Sequence, residues 1–458
     1  MKLWDSKRAD EITGGKSSEP WYCSGISIDT RTLEKGDLFV ALVGEERDGH
    51  GFLQDAAYKG AAAALVSEAK GAPLPILNVF NTLKSLEKLG ISARDRCSAV
   101  RIAVTGSVGK TSTKDMLYTV FKEQGFTHRS LSSYNNHWGV PLTLARMPQE
   151  TQFGIFEVGM NHSGEIRPLS HMIKPQIAII TSVVECHFEF FQSEEDIARA
   201  KAEIFEGMAE GGSVILNQDN PHFEFLSKRA QEYKLKVFSF GRSEKADFRL
   251  MSYEGDGETG KIVGEIRGEK ISYTLPMPGV HWALNSLAVL GAVYLAHQDV
   301  QKAAISLAMV EVPAGRGKCH KGTFTVLDES YNANPTSMRA ALSVLEQSRG
   351  ERKIAIIGDM REMGEIAQER HEELFEPLLE NKIDLVFCCG PHMAHLYERL
   401  PIYMKGGYRA TSLELIPLVL DAVRAGDVIS VKGSLGTRMR PIVDALLVFQ
   451  KDDLKKVS

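Results

Sequence analysis

Residues 101–125 read RIAVTGSVGKTSTKDMLYTVFKEQG: an apolar run, a glycine-bearing turn, then a stretch with helical spacing. The turn is Thr105-Gly106-Ser107-Val108-Gly109-Lys110-Thr111-Ser112. A strand that feeds a glycine turn and opens a helix can cradle phosphate. The glycines let backbone N–H groups converge, and the helix N-terminus adds the positive end of its dipole. In such a cradle Lys110 reaches the terminal phosphates and Thr111 offers a hydroxyl to Mg²⁺. The full phosphate-loop pattern begins with glycine at position 104, where this chain has Val104. The bland alternative is a strand-to-helix turn carrying GK[ST] by chance; the flanking strand and helix favour the cradle.

The alternation continues on both sides. FGIFEVG (153–159) and PQIAIITS (175–182) are apolar on both faces, as in a parallel sheet covered by helices on each side. FTVLDES, KIAIIGD, DLVFCCG and DVISVKG form a further alternation beginning near residue 313. Before the cradle, GDLFVAL, FLQDAAYKGAAAALV and ILNV make a smaller α/β unit. The expected organisation is three α/β domains, residues 1–96, 97–312 and 313–458. Polar alternation between Phe248 and Leu275 predicts antiparallel strands joined by glycine turns.

Charge and cysteine usage narrow the class. The 458 residues hold 54 Lys+Arg against 59 Asp+Glu, a net charge of -5, so no general positive field draws in nucleic acid or an anionic membrane. Six cysteines are too sparse for a secreted disulfide framework and suit a reducing cytosol. The N-terminal MKLWDSKRADEITGG lacks the apolar core of a signal peptide. The longest uncharged stretch, Ile271 to Gln298, is broken by Pro276, Pro278 and Gly279 and is too short to span a bilayer. The expectation is a cytoplasmic protein with no nucleic-acid partner and no membrane insertion.

Three motifs are decoys. Gly255-Asp256-Gly257-Glu258-Thr259-Gly260-Lys261 satisfies G-x-G-x-x-G, but Ile262 stands where a hydroxyl is needed and the flanks alternate as in a hairpin, so its glycines serve turns. Asn381-Lys382-Ile383-Asp384 imitates a guanine-reading motif, yet precedes a strand instead of following one and reads as a helix-to-strand connection. Cys388, Cys389, His392 and His395 lack the two-residue gap usual between zinc-binding cysteines and read as core thiols and solvated histidines.

Three residues downstream of the cradle invite chemistry. Glu157 ends FGIFEVG at a carboxyl edge of the sheet, where α/β proteins bind ligands and where a hard oxygen suits Mg²⁺; its bland reading is a surface acid. His187 follows IAIITSVVECH at the same edge, and in isolation hydrogen-bonded packing is the ordinary reading. Lys201, in SEEDIARAKAEIF, has Ile197 four residues before and Phe205 four after, hence lies beside an apolar stripe. A lysine there either snorkels, the ordinary outcome, or has its charge altered.

The ordered set TGSVGKTS, YNNHWGVPLTL, EVGMNHSGEI, HFEFFQSEEDIARAKAEIF, VILNQDNP, GVHWALNS, GRG, DESYNANPTSM, GDMREMGE and VKGSLGTRM resembles the Mur ligases. The N-terminal SIDTRTLEKGDLFVALVGEERDGHGF is similar to that family's nucleotide-sugar domain. The resemblance implies the three-domain Mur ligase architecture: a UDP-sugar domain, a central sheet like that of phosphate-loop ATPases, and a Rossmann-like C-terminal domain. It implies that Gly106, Ser107, Val108, Gly109, Lys110, Thr111 and Ser112 hold ATP phosphates. Thr111 and Glu157 would serve one Mg²⁺ and His187 a second. Lys201 matches the lysine that CO2 carbamylates in many members, which would turn a cation that repels metals into an anion that attracts them. Asn285 matches an adenine-contacting asparagine; Arg316 and Asp328 match residues that close over the nucleotide. Asp29, Thr30 and Arg31 fall in the motif associated with the UDP end of the substrate, and Asn135 and Asn136 in one near the acyl substrate. Trp282 and the pair Glu185-Cys186 depart from the family pattern.

The activity implied is ATP-dependent joining of D-alanyl-D-alanine to UDP-N-acetylmuramoyl-tripeptide through an acyl phosphate, by a monomer. Lys110, His187, Lys201 and Arg316 are the expected catalytic groups, and no protein nucleophile is needed. Within the superfamily the rival is a folylpolyglutamate synthase, which would not be expected to carry the N-terminal DTR and DGH motifs. From another class, a nucleotide-dependent switch would have no use for Glu157, His187 and Lys201 together.

Overall fold

The computed structural model describes residues 2–68, 71–185 and 188–457, with side chains described to residue 451. His187 and Cys186 therefore lie outside the described residues.

The strand Val100–Thr105 sits inside a nine-stranded sheet, with Phe153–Glu157 on one side and Ile177–Ile180 on the other. Both neighbours are parallel to it, in register Glu157↔Val104 and Ile180↔Thr105. The chain leaves Val100–Thr105, builds Thr127–Arg129 and Phe153–Glu157 on one flank, then returns to place Ile177–Ile180 on the other. That reversal opens a crevice at the carboxyl ends of these strands.

Side-chain alternation sorts the two faces. Ile102, Val104 and Ile155 pack with Met116, Leu117 and Val120 of the helix Lys110–Lys122, and with Leu287 and Leu290 of Val280–Leu295. Ala103, Phe156 and Val158 pack on the other face with Ile166 and Leu169, and with Ile197 and Ala200 of Glu194–Ala202. Glu157 follows Ile155 by two positions, so the period of two turns it toward the phosphate-loop helix.

The polar stretch after Phe248 forms antiparallel strands, as its alternation predicted. Phe248–Gly255, Gly260–Ile266 and Glu269–Leu275 extend the same sheet at one edge. Asp256 Oδ1 accepts from the N–H groups of Glu258 and Thr259 at 3.0 and 2.7 Å, so the glycine-rich decoy is a hairpin turn. Asn381 and Lys382 likewise join the helix Phe375–Glu380 to the strand Leu385–Cys389. Cys388 and Cys389 are buried in that strand, and burial pushes the Cys389 thiol up to about 12.

One boundary differs from the reading of PQIAIITS. The strand stops at Ile180, and the next residues strap the phosphate loop instead: Ser107 N–H donates to Ser182 O at 2.9 Å and Ser107 Oγ to Val184 O at 2.9 Å. Thr181 N–H still donates to Thr105 O at 3.0 Å, and beyond it the carbonyls of Ser182 and Val184 are spent on the loop.

Besides a two-stranded ribbon of Trp4–Asp5 with Tyr22–Cys23, two smaller sheets accompany the large one. In the N-terminal five-stranded sheet four strands are parallel, in the order Ile76–Asn78, Ala63–Val66, Asp37–Val40 and Gly25–Ser27, with Lys16–Ser17 antiparallel at the edge. In the C-terminal part Thr325–Glu329, Val428–Lys432, Lys353–Gly358, Leu385–Cys389 and Lys405–Arg409 run parallel in that order. The last strand in sequence is inserted next to the first of these. No helix among the described residues is long and apolar enough to cross a membrane.

Candidate active site

The phosphate loop needs its glycines. Gly106 has φ +147° and Gly109 φ +85°, and a Cβ at either would collide with a neighbour, the Thr181 hydroxyl for Gly106 and the Asn285 amide for Gly109. Asn285, buried, is thereby packed against the loop. Gly109 caps the helix Lys110–Lys122, so the dipole's positive end faces the turn. Lys110 Nζ folds back over the loop and donates to Gly106 O at 2.6 Å and Ser107 O at 3.3 Å.

A cavity of about 310 Å³ opens from this loop. The central sheet supplies Ser107 to Ser112, Ser133, Asn135, Glu157, His281 and Trp282 to its wall. The C-terminal part supplies Gly315, Arg316, Glu329, Tyr331, Asn334 and Lys432. The site therefore lies between the nine-stranded sheet and the C-terminal sheet.

Glu157 is 1% exposed, not a surface acid. Its Oε1 accepts from Thr111 Oγ1 at 3.1 Å and from Asn135 Nδ2 at 2.8 Å. Its Oε2 is buried without a hydrogen-bond partner among the described residues, 3.9 Å from Lys114 Nζ. A buried carboxylate oxygen left open beside a threonine hydroxyl is the hard donor set that Mg²⁺ prefers, so these residues fit the metal implied by the sequence.

Arg316 crosses the gap. Its Nη2 donates to Ser133 Oγ at 3.3 Å, and its guanidinium lies 3.8 Å over the Tyr331 ring. Tyr331 OH donates to the same Ser133 Oγ at 3.2 Å. Asp328 is fully buried and does not line the cavity. Its Oδ2 accepts from Gly315 N–H and Arg440 Nη1, both at 2.8 Å, so it braces the turn that presents Arg316.

Other expected residues fall elsewhere. Lys201 is 2% exposed on the helix Glu194–Ala202, which packs on the face opposite the phosphate-loop helix, and it is not among the residues lining the cavity. Burial rules out simple snorkelling to water. Asn136 Oδ1 accepts from Trp138 and Gly139 N–H in the turn that leads into the helix Gly139–Ala145. Asp29, Thr30 and Arg31 follow the strand Gly25–Ser27, remote in sequence from the cavity wall, with Arg31 forked onto Asp29 at 2.6–3.0 Å.

Ser133, Tyr331, Glu329 and Lys432 were missed in sequence. The signal was available: Glu329 and Lys432 end the apolar strands of FTVLDES and DVISVKG just as Glu157 ends its own. His281 also lines the cavity, and burial pushes its imidazole below the usual value despite the opposing pull of Glu329.

The chain matches the family models for the Mur ligase catalytic domain over residues 23–107, the Mur ligase middle domain over 104–293, and the Mur ligase glutamate ligase domain over 315–435. A Rickettsia prowazekii protein is 35% identical across 96% of this chain and 99% of its own length. A Bacillus subtilis protein is 32% identical across 96% and 98%. The chain belongs to the Mur ligase family. Both relatives bear the name UDP-N-acetylmuramoyl-tripeptide–D-alanyl-D-alanine ligase. The crystal structure of MurF from Acinetobacter baumannii superposes with TM-score 0.86 at 27% identity, covering 97% of this chain and 98% of that one. A Thermotoga maritima MurF structure in complex with ADP shares the fold at TM-score 0.79 and 24% identity, covering 95% and 98%.

Proposed function

We propose that this chain is an ATP-dependent ligase that joins D-alanyl-D-alanine to UDP-N-acetylmuramoyl-tripeptide, giving the pentapeptide precursor of peptidoglycan. The observation that carries the reading is the cavity in which a phosphate loop and a buried carboxylate meet an arginine and an ion pair from a separate sheet. The near full-length likeness to ligases of that name supports the choice of substrates.

Condensing a carboxylate with an ammonium in water is uphill because both are strongly hydrated, so ATP supplies the drive. The tripeptide carboxylate attacks the γ-phosphate to give an acyl phosphate and ADP. The dipeptide ammonium gives up a proton to solvent, its free amine attacks the acyl carbon, the C–O bond to phosphate breaks, and phosphate leaves as the nitrogen loses a second proton. Loop N–H groups and Lys110 hold the phosphates, and Arg316 offsets charge on the transferred group. Thr111 and Glu157 hold one Mg²⁺, which when bound neutralises phosphate charge. His187 and a carbamylated Lys201 would serve a second. Asn285 contacts adenine, Asp29 to Arg31 the UDP end, and Asn135 and Asn136 stand near the acyl substrate.

Residues 1–96, 97–312 and 313–458 act as UDP-sugar, ATP and dipeptide domains of a cytoplasmic monomer, and closure of the last over the second excludes water. Phosphate release should require both UDP-N-acetylmuramoyl-tripeptide and D-alanyl-D-alanine. ATP hydrolysis indifferent to both would replace this reading with a nucleotide switch.

A further inference from the structure

Glu329 and Lys432 end neighbouring parallel strands of the C-terminal sheet and stand opposite each other in register. Both line the cavity that holds Lys110 and Glu157. Lys432 is 4% exposed; its Nζ donates to Glu329 Oε2 at 3.3 Å and to Asn332 O at 3.0 Å. An ammonium has three N–H groups, so the chain itself uses two of them.

Holding the strands together does not account for this pair, because their backbone ladder is already paired from Thr325↔Val428 to Glu329↔Lys432. Burying an ion pair is costly and often no better for stability than an apolar pair. Set in the wall of a reaction cavity, opposed charges give something apolar residues cannot: recognition of a ligand that itself carries both charges. The N-terminus of the helix Pro335–Gln347 adds to the positive side, with its cap Asn334 and its Ser337 in the same wall.

We infer that Lys432 receives the carboxylate of the incoming dipeptide and Glu329 its ammonium, so that this pair sets the selectivity for a zwitterionic acceptor. The inference rests on the ligase reading and adds the residues that choose the second substrate. Arg316 and the phosphate loop serve the nucleotide and play no part in this choice.

The test compares D-alanyl-D-alanine with D-alanyl-D-alaninamide, which keeps the ammonium and lacks the carboxylate, at saturating ATP and UDP-N-acetylmuramoyl-tripeptide. The unaltered enzyme should prefer the dipeptide. Lys432→Met should lower kcat/KM for the dipeptide about tenfold to a hundredfold, the scale of a hydrogen bond to a charged group, and leave the amide within about threefold. Glu329→Gln should lower both acceptors alike, since both carry the ammonium. Equal loss on both acceptors in Lys432→Met, or a loss confined to the KM of the UDP-tripeptide, overturns the assignment. If Lys432→Met does not fold, Lys432→Arg serves instead: it should weaken the dipeptide and spare the amide, and equal change in both overturns the assignment. An unaltered enzyme that turns over ATP without using either acceptor would instead remove the ligase reading itself.

Discussion

Asn135 donates its side-chain amide to Glu157 Oε1 at 2.8 Å, the same oxygen that takes the Thr111 hydroxyl at 3.1 Å. Two donors on one oxygen fix the carboxylate plane and leave Oε2 without a hydrogen-bond partner among the described residues. Glu157→Gln should therefore lower turnover about 10²- to 10³-fold. With Mg²⁺ held by Glu157 as proposed, Asn135→Ala keeps the carboxylate and loses its orientation, so it should raise the Mg²⁺ needed for half-maximal turnover about tenfold to a hundredfold. Magnesium titrations of phosphate release check both.

Ser133 accepts from Arg316 and from Tyr331 across the gap between the sheets. Arg316→Lys keeps the charge but loses the planar fork stacked on Tyr331, and turnover should fall about a hundredfold or more. Ser133→Ala should cost several-fold, mostly in kcat, because closure is weakened while the phosphate loop is untouched. Steady-state kinetics with ATP varied separates the two.

Glu185 reaches Arg370, with Oε2 2.7 Å from Nε and Oε1 accepting from Nη2 at 2.9 Å. The pair ties a segment of the central sheet to the helix Ala367–Glu372. Both side chains are about a quarter exposed, so solvent screens the attraction. A double-mutant cycle on unfolding should give about 0.5–1 kcal/mol of coupling, shrinking as salt is added.

His128 donates from Nε2 to Thr143 O at 2.8 Å, and burial lowers its imidazole from 6.5 to about 4. Above pH 6.5 the folded and unfolded chains are both neutral there, and the group has no effect. Between 6.5 and about 4 the unfolded chain takes up a proton that the folded one refuses, so stability drops as the pH is lowered, by about 3 kcal/mol in all. Urea unfolding at pH 7 and pH 5 should show the drop, and His128→Gln should remove its share of the slope.

The phosphate loop was legible because its demands are local. Gly106 and Gly109 are required by backbone angles and close contacts within one strand–turn–helix unit, and Glu157 by its place at a strand end. The antiparallel strands after Phe248 were legible by their period of two. The strap from Thr181 to Val184 was not, because its hydrogen bonds go to Ser107, more than seventy residues earlier. Nor was the face on which Lys201 lies, since an apolar stripe does not say which side of a sheet it will cover.

By itself the sequence determined three α/β units, a phosphate cradle and the family to which the chain belongs. Those follow from periodicity, glycine geometry and ordered motifs, all written along the chain. Only the tertiary structure decided that Glu329 and Lys432 face each other beside the cradle. The strand Val428–Lys432 is inserted between Thr325–Glu329 and Lys353–Gly358, and strand order is fixed by how whole layers pack. Charges a hundred residues apart become neighbours through that insertion, which leaves no periodic trace in the sequence.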